Sequence, residues 1–218
     1  MTNPLVFVVI LNNNRRDDVL ACIESLYQND YKNLSIIMLD NLSIDNSVEA
    51  VRQQYPDVQV IELQENLGYA GNNNIGIKAA MEQNADWIFV LNDDTILDPL
   101  CLTALVEIAE SDPKIGMVGP MVYHFDEPNI IQSAGGALGK YWLSTHLGKN
   151  EPDRGQFNTP REVEWISGCA IMIRCKLIEQ IGTLDADYFL YWEETEWCIR
   201  ARRAAWRLYH APRAKLWH

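Results

Sequence analysis

Long hydrophobic runs are missing from this 218-residue chain. No window reaches the roughly 18 apolar residues that would cross a bilayer. The N-terminus enters the strand-like run Leu5 to Leu11 almost at once, with no basic leader and no cleavage site. The expectation is a soluble, cytoplasmic protein, at most held at the inner face of a membrane. Positive charge is also scarce, with 18 Lys and Arg against 30 Asp and Glu and a net charge of -12. A phosphate-backbone binder needs a basic face, so nucleic acid is not an expected partner. Patterned cysteine is lacking too. Cys22, Cys101, Cys169, Cys175 and Cys198 lie in apolar surroundings with no CxxC spacing. That excludes a disulfide framework or a zinc site and implies buried free thiols in a reducing compartment. Internal repeats and linkers are absent as well.

What is present is a large apolar fraction, 48%, enough for a sizeable core. Leu5 to Leu11, Leu34 to Leu39, Val58 to Leu63 and Trp87 to Leu91 read as short, nearly continuous apolar strands. Helix-period segments separate them over Asp17 to Tyr27, Asp45 to Tyr55 (the weakest) and Ala70 to Met81. Strand–helix alternation at this spacing predicts βαβ units in a parallel sheet, an α/β protein. After about residue 100 the pattern changes. Ile115 to Tyr123 fits a strand, whereas Phe125 to Pro160 is rich in Gly, Pro and Asn and reads as functional loops. Order returns over Val163 to Ile173, with helices near Lys176 to Gln180 and Glu193 to Ala205. One domain of two lobes over 1–218 results, its first hundred residues reading as a nucleotide-binding type of open sheet.

Each early strand runs into polar residues: Asn12-Asn13-Asn14, Asp40-Asn41-Leu42-Ser43, Glu65-Asn66-Leu67-Gly68 and Asn92-Asp93-Asp94. Ligands of open α/β sheets bind at such strand ends. Two adjacent carboxylates repel, and a hard divalent cation such as Mg²⁺ or Mn²⁺ would relieve that repulsion. The plainer reading is a solvated loop, with Asp93 or Asp94 capping the next helix. Asp40 fits either a base or ribose contact or the cap of the turn into the helix near Ser43. Asn66 to Gly76 is a glycine- and amide-rich helix entry, without the Rossmann spacing.

Further along, Tyr191-Trp192-Glu193-Glu194-Thr195-Glu196 opens the last helix with three acids. Glu196 can pair with Arg200 four residues on. Glu193 and Glu194 have no such partner, and a carboxylate beside two aromatics is partly desolvated, as suits a general base. Arg200, Arg202, Arg203, Arg207, Arg213 and Lys215 cluster near the C-terminal end, where a solvated helix face competes with an anionic membrane or a diphosphate as explanation.

Together these residues resemble the family 2 glycosyltransferases, which have the GT-A fold and include rhamnosyltransferase-like enzymes of bacterial cell-surface polysaccharides. The similarity runs from about Val6 to His218. Val8 to Asn12 looks like the first strand, Asp40 to Ser47 like the nucleoside-binding turn, and Asn66 to Gly76 like the Asn-x-Gly-Tyr-Ala-Gly-x-Asn segment. Asn92-Asp93-Asp94 looks like the DXD motif, Ser167 to Ala170 like the segment lining the donor sugar, and Phe189 to Arg200 like the segment carrying the base.

The resemblance implies a GT-A, Rossmann-like, mostly parallel sheet flanked by helices, with a smaller acceptor-side lobe. About 1–100 would be the nucleotide-binding half of the one domain and about 101–218 its acceptor-side half. It implies Glu194 as catalytic base and Asp94, Asp93 and His218 as residues for Mg²⁺ or Mn²⁺. It implies a donor site of Asn12, Asp40, Asn66, Gly68, Asn73, Asp93 and Gly168. Asn92 stands at the first DXD position, which implies a weak metal site; Glu194 replaces the usual Asp, and Asn73 stands where some members carry Arg. The donor would be a UDP, dTDP or GDP sugar and the acceptor a glycan or a lipid-linked molecule, with peripheral membrane contact left open. The family's chain usually continues past Trp217-His218, so a C-terminal truncation is expected. Two alternatives stand beside this reading: a non-catalytic nucleotide-sugar-binding domain, and a sugar-phosphate nucleotidyltransferase. The second would carry a glycine- and basic-rich phosphate loop where Asn12-Asn13-Asn14-Arg15-Arg16 stands.

Overall fold

The computed structural model describes residues 3–218. Its first half has the expected strands β1 (Val6–Asn12), β2 (Leu34–Asp40), β3 (Gln59–Glu62) and β4 (Trp87–Asn92). The helices α1 (Arg16–Tyr27), α2 (Ser47–Gln54) and α3 (Gly68–Glu82) connect them. The four strands pair in parallel in the spatial order β3, β2, β1, β4. Side chains alternate along each strand. Val6, Val8 and Ile10 enter one core with Val19, Ile23 and Leu26 of α1, while Phe7 and Val9 enter the other with Ile77 and Ala80 of α3. Because both faces are covered, the strands read as unbroken apolar runs. Each fully buried large side chain, such as Ile10, Phe89 or Leu91, contributes roughly 1.5–3 kcal/mol.

Beyond β4 come β5 (Ile96–Leu97), α4 (Cys101–Ala109), β6 (Ile115–Tyr123), β7 (Ile131–Ser133), β8 (Gly136–Leu138) and β9 (Ser144–His146). After these follow β10 (Arg161–Glu162), β11 (Ala170–Arg174), α5 (Cys175–Ile181), α6 (Glu193–Arg203) and β12 (Arg207–Trp217). β11 runs antiparallel between β4 and β6, and β12 runs parallel to β6. The segment expected to be loops contains β7, paired with β6, and the β8–β9 hairpin. Strands of three residues carry too little alternation to show in a sequence.

β12 has no counterpart in the sequence reading. Pro212 and the charges of Arg213 and Lys215 interrupt its apolar pattern, and the ladder with β6 is irregular between Ala211 and Lys215. Past that irregularity Leu216 and Trp217 pair with Leu97 and Ile96 of β5, which carries His218 to the end of β4. The basic cluster is therefore not a helix face. It is divided between α6 and β12 and largely internally paired: Arg200 with Glu196 at 2.7 Å, Arg202 with Glu164 at 3.2 Å, Arg207 with Asp112 at 2.8 Å and Arg213 with Glu107 at 3.0 Å. The cysteines are all free and buried, as expected. Among the described residues no helix is long and apolar enough to cross a membrane.

Candidate active site

Parallel register brings the polar strand ends together. Asn12 of β1 sits opposite Asp40 of β2, and Leu11 opposite Asn92 of β4. Chain order reverses between β1 and β4, so their ends flank the switch point where α/β sheets open a crevice. At the β1–β2 end the groups bind one another. Asn12 Nδ2 lies 2.9 Å from Asp40 Oδ1, 3.0 Å from Ser43 Oγ and 2.9 Å from Ser47 Oγ. Ser43 N–H donates to Asp40 Oδ2 at 3.0 Å. Asp40, held open between a cap and a nucleoside contact, thus makes the contacts of a cap, and it is buried.

The amide-rich entry to α3 is built locally. Asn66 is exposed and its Oδ1 accepts from Gly68 N–H at 2.9 Å, while buried Asn73 donates to Tyr69 O at 3.0 Å. Gly68 has φ +76, and a Cβ there would meet Phe189 O at 2.3 Å. Only glycine allows the 188–192 segment to close on α3, where Tyr69 N–H donates to Phe189 O at 2.7 Å. The side chain of Tyr69, absent from the sequence reading as a site residue, donates to Gly168 O at 2.7 Å and reaches Asn92 Oδ1 at 3.4 Å. One buried phenol thereby ties the end of β4 to the segment before β11. The Asn-x-Gly-Tyr pattern was visible in the sequence, but nothing in it says what a tyrosine hydroxyl will touch.

At the end of β4 the two acids differ. Asp93 is buried, and desolvation, reinforced by Asp94, pushes its carboxyl up to about 7. Asp94 is half-buried, and its Oδ2 takes a 2.8 Å ion pair from Arg15. His218, when charged, and Arg15 hold the Asp94 carboxyl below the usual range against its burial. Asp94 Oδ1 lies 3.2 Å from His218 Nε2 yet has no hydrogen-bond donor. Arg15, Asp94, Phe125 and His218 line a cleft of about 230 Å³.

Among the described residues no three His, Cys, Asp or Glu side chains form a ready-made metal cage. The donor set nevertheless fits a hard cation that keeps most of its sites for substrate phosphates and water, since such ions take only one or two protein carboxylates. The donorless buried oxygen of Asp94 is the observation that supports that fit.

Opposite, α6 begins after Tyr191 and Trp192, both at positive φ (71 and 72) and both exposed. Two consecutive non-glycine residues there mark a strained entry. Glu194 packs on Gly168, where an added Cβ would lie 3.4 Å from Glu194 Cγ. Its carboxyl accepts from Thr195 Oγ1 at 3.2 Å, and burial raises it above the usual range. Neighbouring Glu193, 5% exposed, has an oxygen without a partner and is pushed up to about 7 by burial and by Glu194. A larger cavity, about 620 Å³, lies at the opposite strand ends beside Asp86, Trp87 and Arg174. Two of its charges are already paired with each other: Arg174 stacks over Trp87 at 4.2 Å and pairs with Glu110 at 3.3 Å.

The family description "Glycosyl transferase family 2" matches residues 7–182. The chain belongs to glycosyl transferase family 2. It is 29% identical over 203 residues to an N-acetylglucosaminyl-diphospho-decaprenol L-rhamnosyltransferase of Mycobacterium tuberculosis, covering 85% of this chain and 66% of that protein. It is 23% identical over 218 residues to the rhamnosyltransferase WbbL of Escherichia coli, covering 95% and 81%. The chain thus spans about two thirds of the mycobacterial relative's length.

Its fold matches a mannosyltransferase from Pyrobaculum calidifontis solved with GDP-Man and Mn²⁺, at TM-score 0.75, 16% identity, and 100% of this chain against 57% of that one. It also matches GalNAc-T7 solved with UDP, GalNAc and Mn²⁺, at TM-score 0.79, 15% identity, and 99% against 44%. The GT-A architecture expected from the family resemblance is the one this family member has.

Proposed function

We propose that the chain carries the catalytic part of an inverting, metal-dependent glycosyltransferase, moving a sugar from a nucleoside-diphosphate sugar to an acceptor hydroxyl in cell-surface glycan synthesis. The observation that carries this reading is the Tyr69 bridge. It joins Asn92 at the acid-bearing strand end to Gly168, on which Glu194 packs, so cation-side acids and a candidate base border one crevice.

Asn12, Asp40, Asn66, Gly68 and Asn73 would shape the nucleoside side, and Gly168 the sugar side. Asp94 and His218, with Asp93 beside them, would hold Mg²⁺ or Mn²⁺, which when bound neutralises charge developing on the diphosphate leaving group. Glu194 would take the proton of the acceptor hydroxyl as its oxygen bonds to the anomeric carbon. The bond from that carbon to the diphosphate oxygen breaks on the opposite face, and the diphosphate leaves with the electron pair. A raised Glu194 carboxyl is a stronger base than an ordinary one. The mycobacterial relative's name specifies a polyprenyl-diphosphate-linked acceptor. A lipid-linked acceptor at the inner face of a membrane is the corresponding proposal for this chain.

Calorimetry across UDP, dTDP and GDP sugars with Mn²⁺ identifies the donor. Glu194→Gln is then expected to lower kcat by about 10²–10⁴-fold while donor affinity stays within about twofold, since only transition-state proton transfer is removed. A fully active variant sinks the assignment, and donor binding without turnover by the unaltered protein favours a binding module.

A further inference from the structure

We infer that Gln132 is a positioning residue for the cation site, fixing the His218 ring in the form that leaves Nε2 bare. The inference rests on the proposed reading of Asp94 and His218 as cation ligands. Gln132 lies in the middle of β7, between the residues that pair with Tyr123 and Val122 of β6. Its Oε1 is 2.9 Å from His218 Nδ1, and its Nε2 is 3.5 Å from His218 O. The His218 backbone is held independently, its N–H donating to Tyr123 O at 3.0 Å and its carbonyl accepting from Phe125 N–H at 3.1 Å. The Gln132 side chain is therefore not needed to keep the strand in place. What it adds is a choice of proton.

An amide oxygen can only accept, so Nδ1 must carry the hydrogen, and in the neutral ring Nε2 keeps its lone pair. That lone pair faces Asn92 Nδ2 at 3.2 Å and Asp94 Oδ1 at 3.2 Å. The second of these is an acceptor facing an acceptor, an arrangement that a cation resolves. The opposite tautomer would put a hydrogen where the cation belongs. Asn92 Nδ2, 3.2 Å from Nε2, can lend that nitrogen one amide hydrogen. A neutral amide at that distance is a weak and exchangeable partner. Hydrogen-bond partners behind a metal-binding histidine typically change affinity about 10–100-fold, which sets the expected size of the effect.

The test compares Gln132→Leu, which removes the acceptor at similar size, with Gln132→Glu, which keeps an acceptor oxygen, and with His218→Ala. Two measurements are made on each. Nitrogen-15 NMR of the metal-free protein at about pH 8 reads the ring tautomer, and water-proton relaxation reads titration with Mn²⁺ alone. The unaltered protein is expected to carry hydrogen on Nδ1. Gln132→Leu is expected to shift the ring toward hydrogen on Nε2 and weaken Mn²⁺ about 10–100-fold, and Gln132→Glu to behave like the unaltered protein in both.

Hydrogen on Nε2 in the unaltered protein overturns the inference, even if Gln132→Leu fails to fold. If His218→Ala weakens Mn²⁺ binding and a folded Gln132→Leu does not, the role of Gln132 falls and the cation reading stands. If His218→Ala binds Mn²⁺ as tightly as the unaltered protein, the cation reading falls and the inference falls with it.

Discussion

Asp40, 4% exposed, and Glu193, 5% exposed, are acids buried beside the same crevice, one at the nucleoside end and one at the reaction end. Asp40 receives hydrogen bonds on both oxygens, from Asn12 Nδ2 and from Ser43 N–H. Glu193 has an oxygen with no partner and a like-charged neighbour, and its carboxyl is pushed up to about 7. Buried polar groups that find partners specify a shape, whereas buried groups without them hold a cost that a proton or ligand can relieve. At the nucleoside end the Asp40 carboxyl is thus satisfied before any ligand arrives, although the amide oxygens of Asn12, Asn41 and Asn73 there stay without a donor. At the reaction end the acids are not satisfied: Asp93 is also pushed up to about 7 and Asp94 Oδ1 is donorless.

The sharpest way to break this comparison is to disturb the reaction end without touching an ionisable group. In Gly168→Ala the new Cβ would sit 3.4 Å from Glu194 Cγ and 3.5 Å from its Cβ. That spacing is ordinary van der Waals contact, but the methyl fills the space beside the carboxylate arm. We expect kcat to fall about 10-fold from misplacement, by more than calorimetry reads as lost donor affinity at this residue of the proposed sugar side. Unchanged kcat would mean that Glu194 is not held by this contact.

At the nucleoside end the same size of insult should act on folding. Asp40→Ala leaves Ser43 N–H without its acceptor, while Asn12 Nδ2 keeps Ser43 Oγ and Ser47 Oγ, at a cost of about 1–3 kcal/mol. A domain of this length should then melt about 2–12 °C lower. A Tm within about 1 °C of the unaltered protein would show that the network is not the scaffold described above.

How much of this contrast the sequence carried is uneven, for physical reasons. β1, β2 and β4 were legible because both faces are covered, and Asn12, Asp40 and Asn92 were legible as the places where apolar runs stop. Asp40 and Glu193 look alike in sequence, each an acid beside a helix start, because hydrogen-bond supply depends on chain distant in sequence: Asn12 is 28 residues from Asp40. β12 escaped because one proline and several charges broke its period. Gln132 and Tyr69 escaped for a related reason. Each acts through contacts 86 or more residues away (with His218 and with Gly168 respectively), and nothing local marks them.

A pH series sharpens the comparison further. The folded Glu193 carboxyl lies at about 7 against an ordinary value of 4.5, so the folded state binds the proton more tightly than the unfolded state. That stabilisation is complete below about 4.5 and is lost as pH rises through about 7. Glu193→Gln, which can still donate toward Glu194, should therefore be the more stable protein at about pH 8 by roughly 1–3 kcal/mol. Its advantage should vanish near pH 4.5. Thermal melts at both pH values check the sign, and an advantage confined to low pH would reverse it. Asp40→Asn, by contrast, should be destabilising, because its amide offers a donor where two donors already point.

The smallest effect is expected away from both ends, at the basic residues of β12. Arg213 is 71% exposed and its partner Glu107 38%, with 3.0 Å between them. Exposed pairs of this kind are worth about 0–1 kcal/mol, because solvent screens the attraction and ordering two long side chains offsets it. Arg213→Ala should leave Tm within about 4 °C and leave Mn²⁺ and donor binding unaltered. Co-sedimentation with vesicles containing an anionic lipid gives the second half of the measurement. If Arg213 serves only Glu107, the variant and the unaltered protein will sediment alike at every salt concentration. A marked, salt-sensitive loss of binding would instead assign this arginine to a membrane surface, and would place the neutralised cluster, not the strained reaction end, at the lipid side of the molecule.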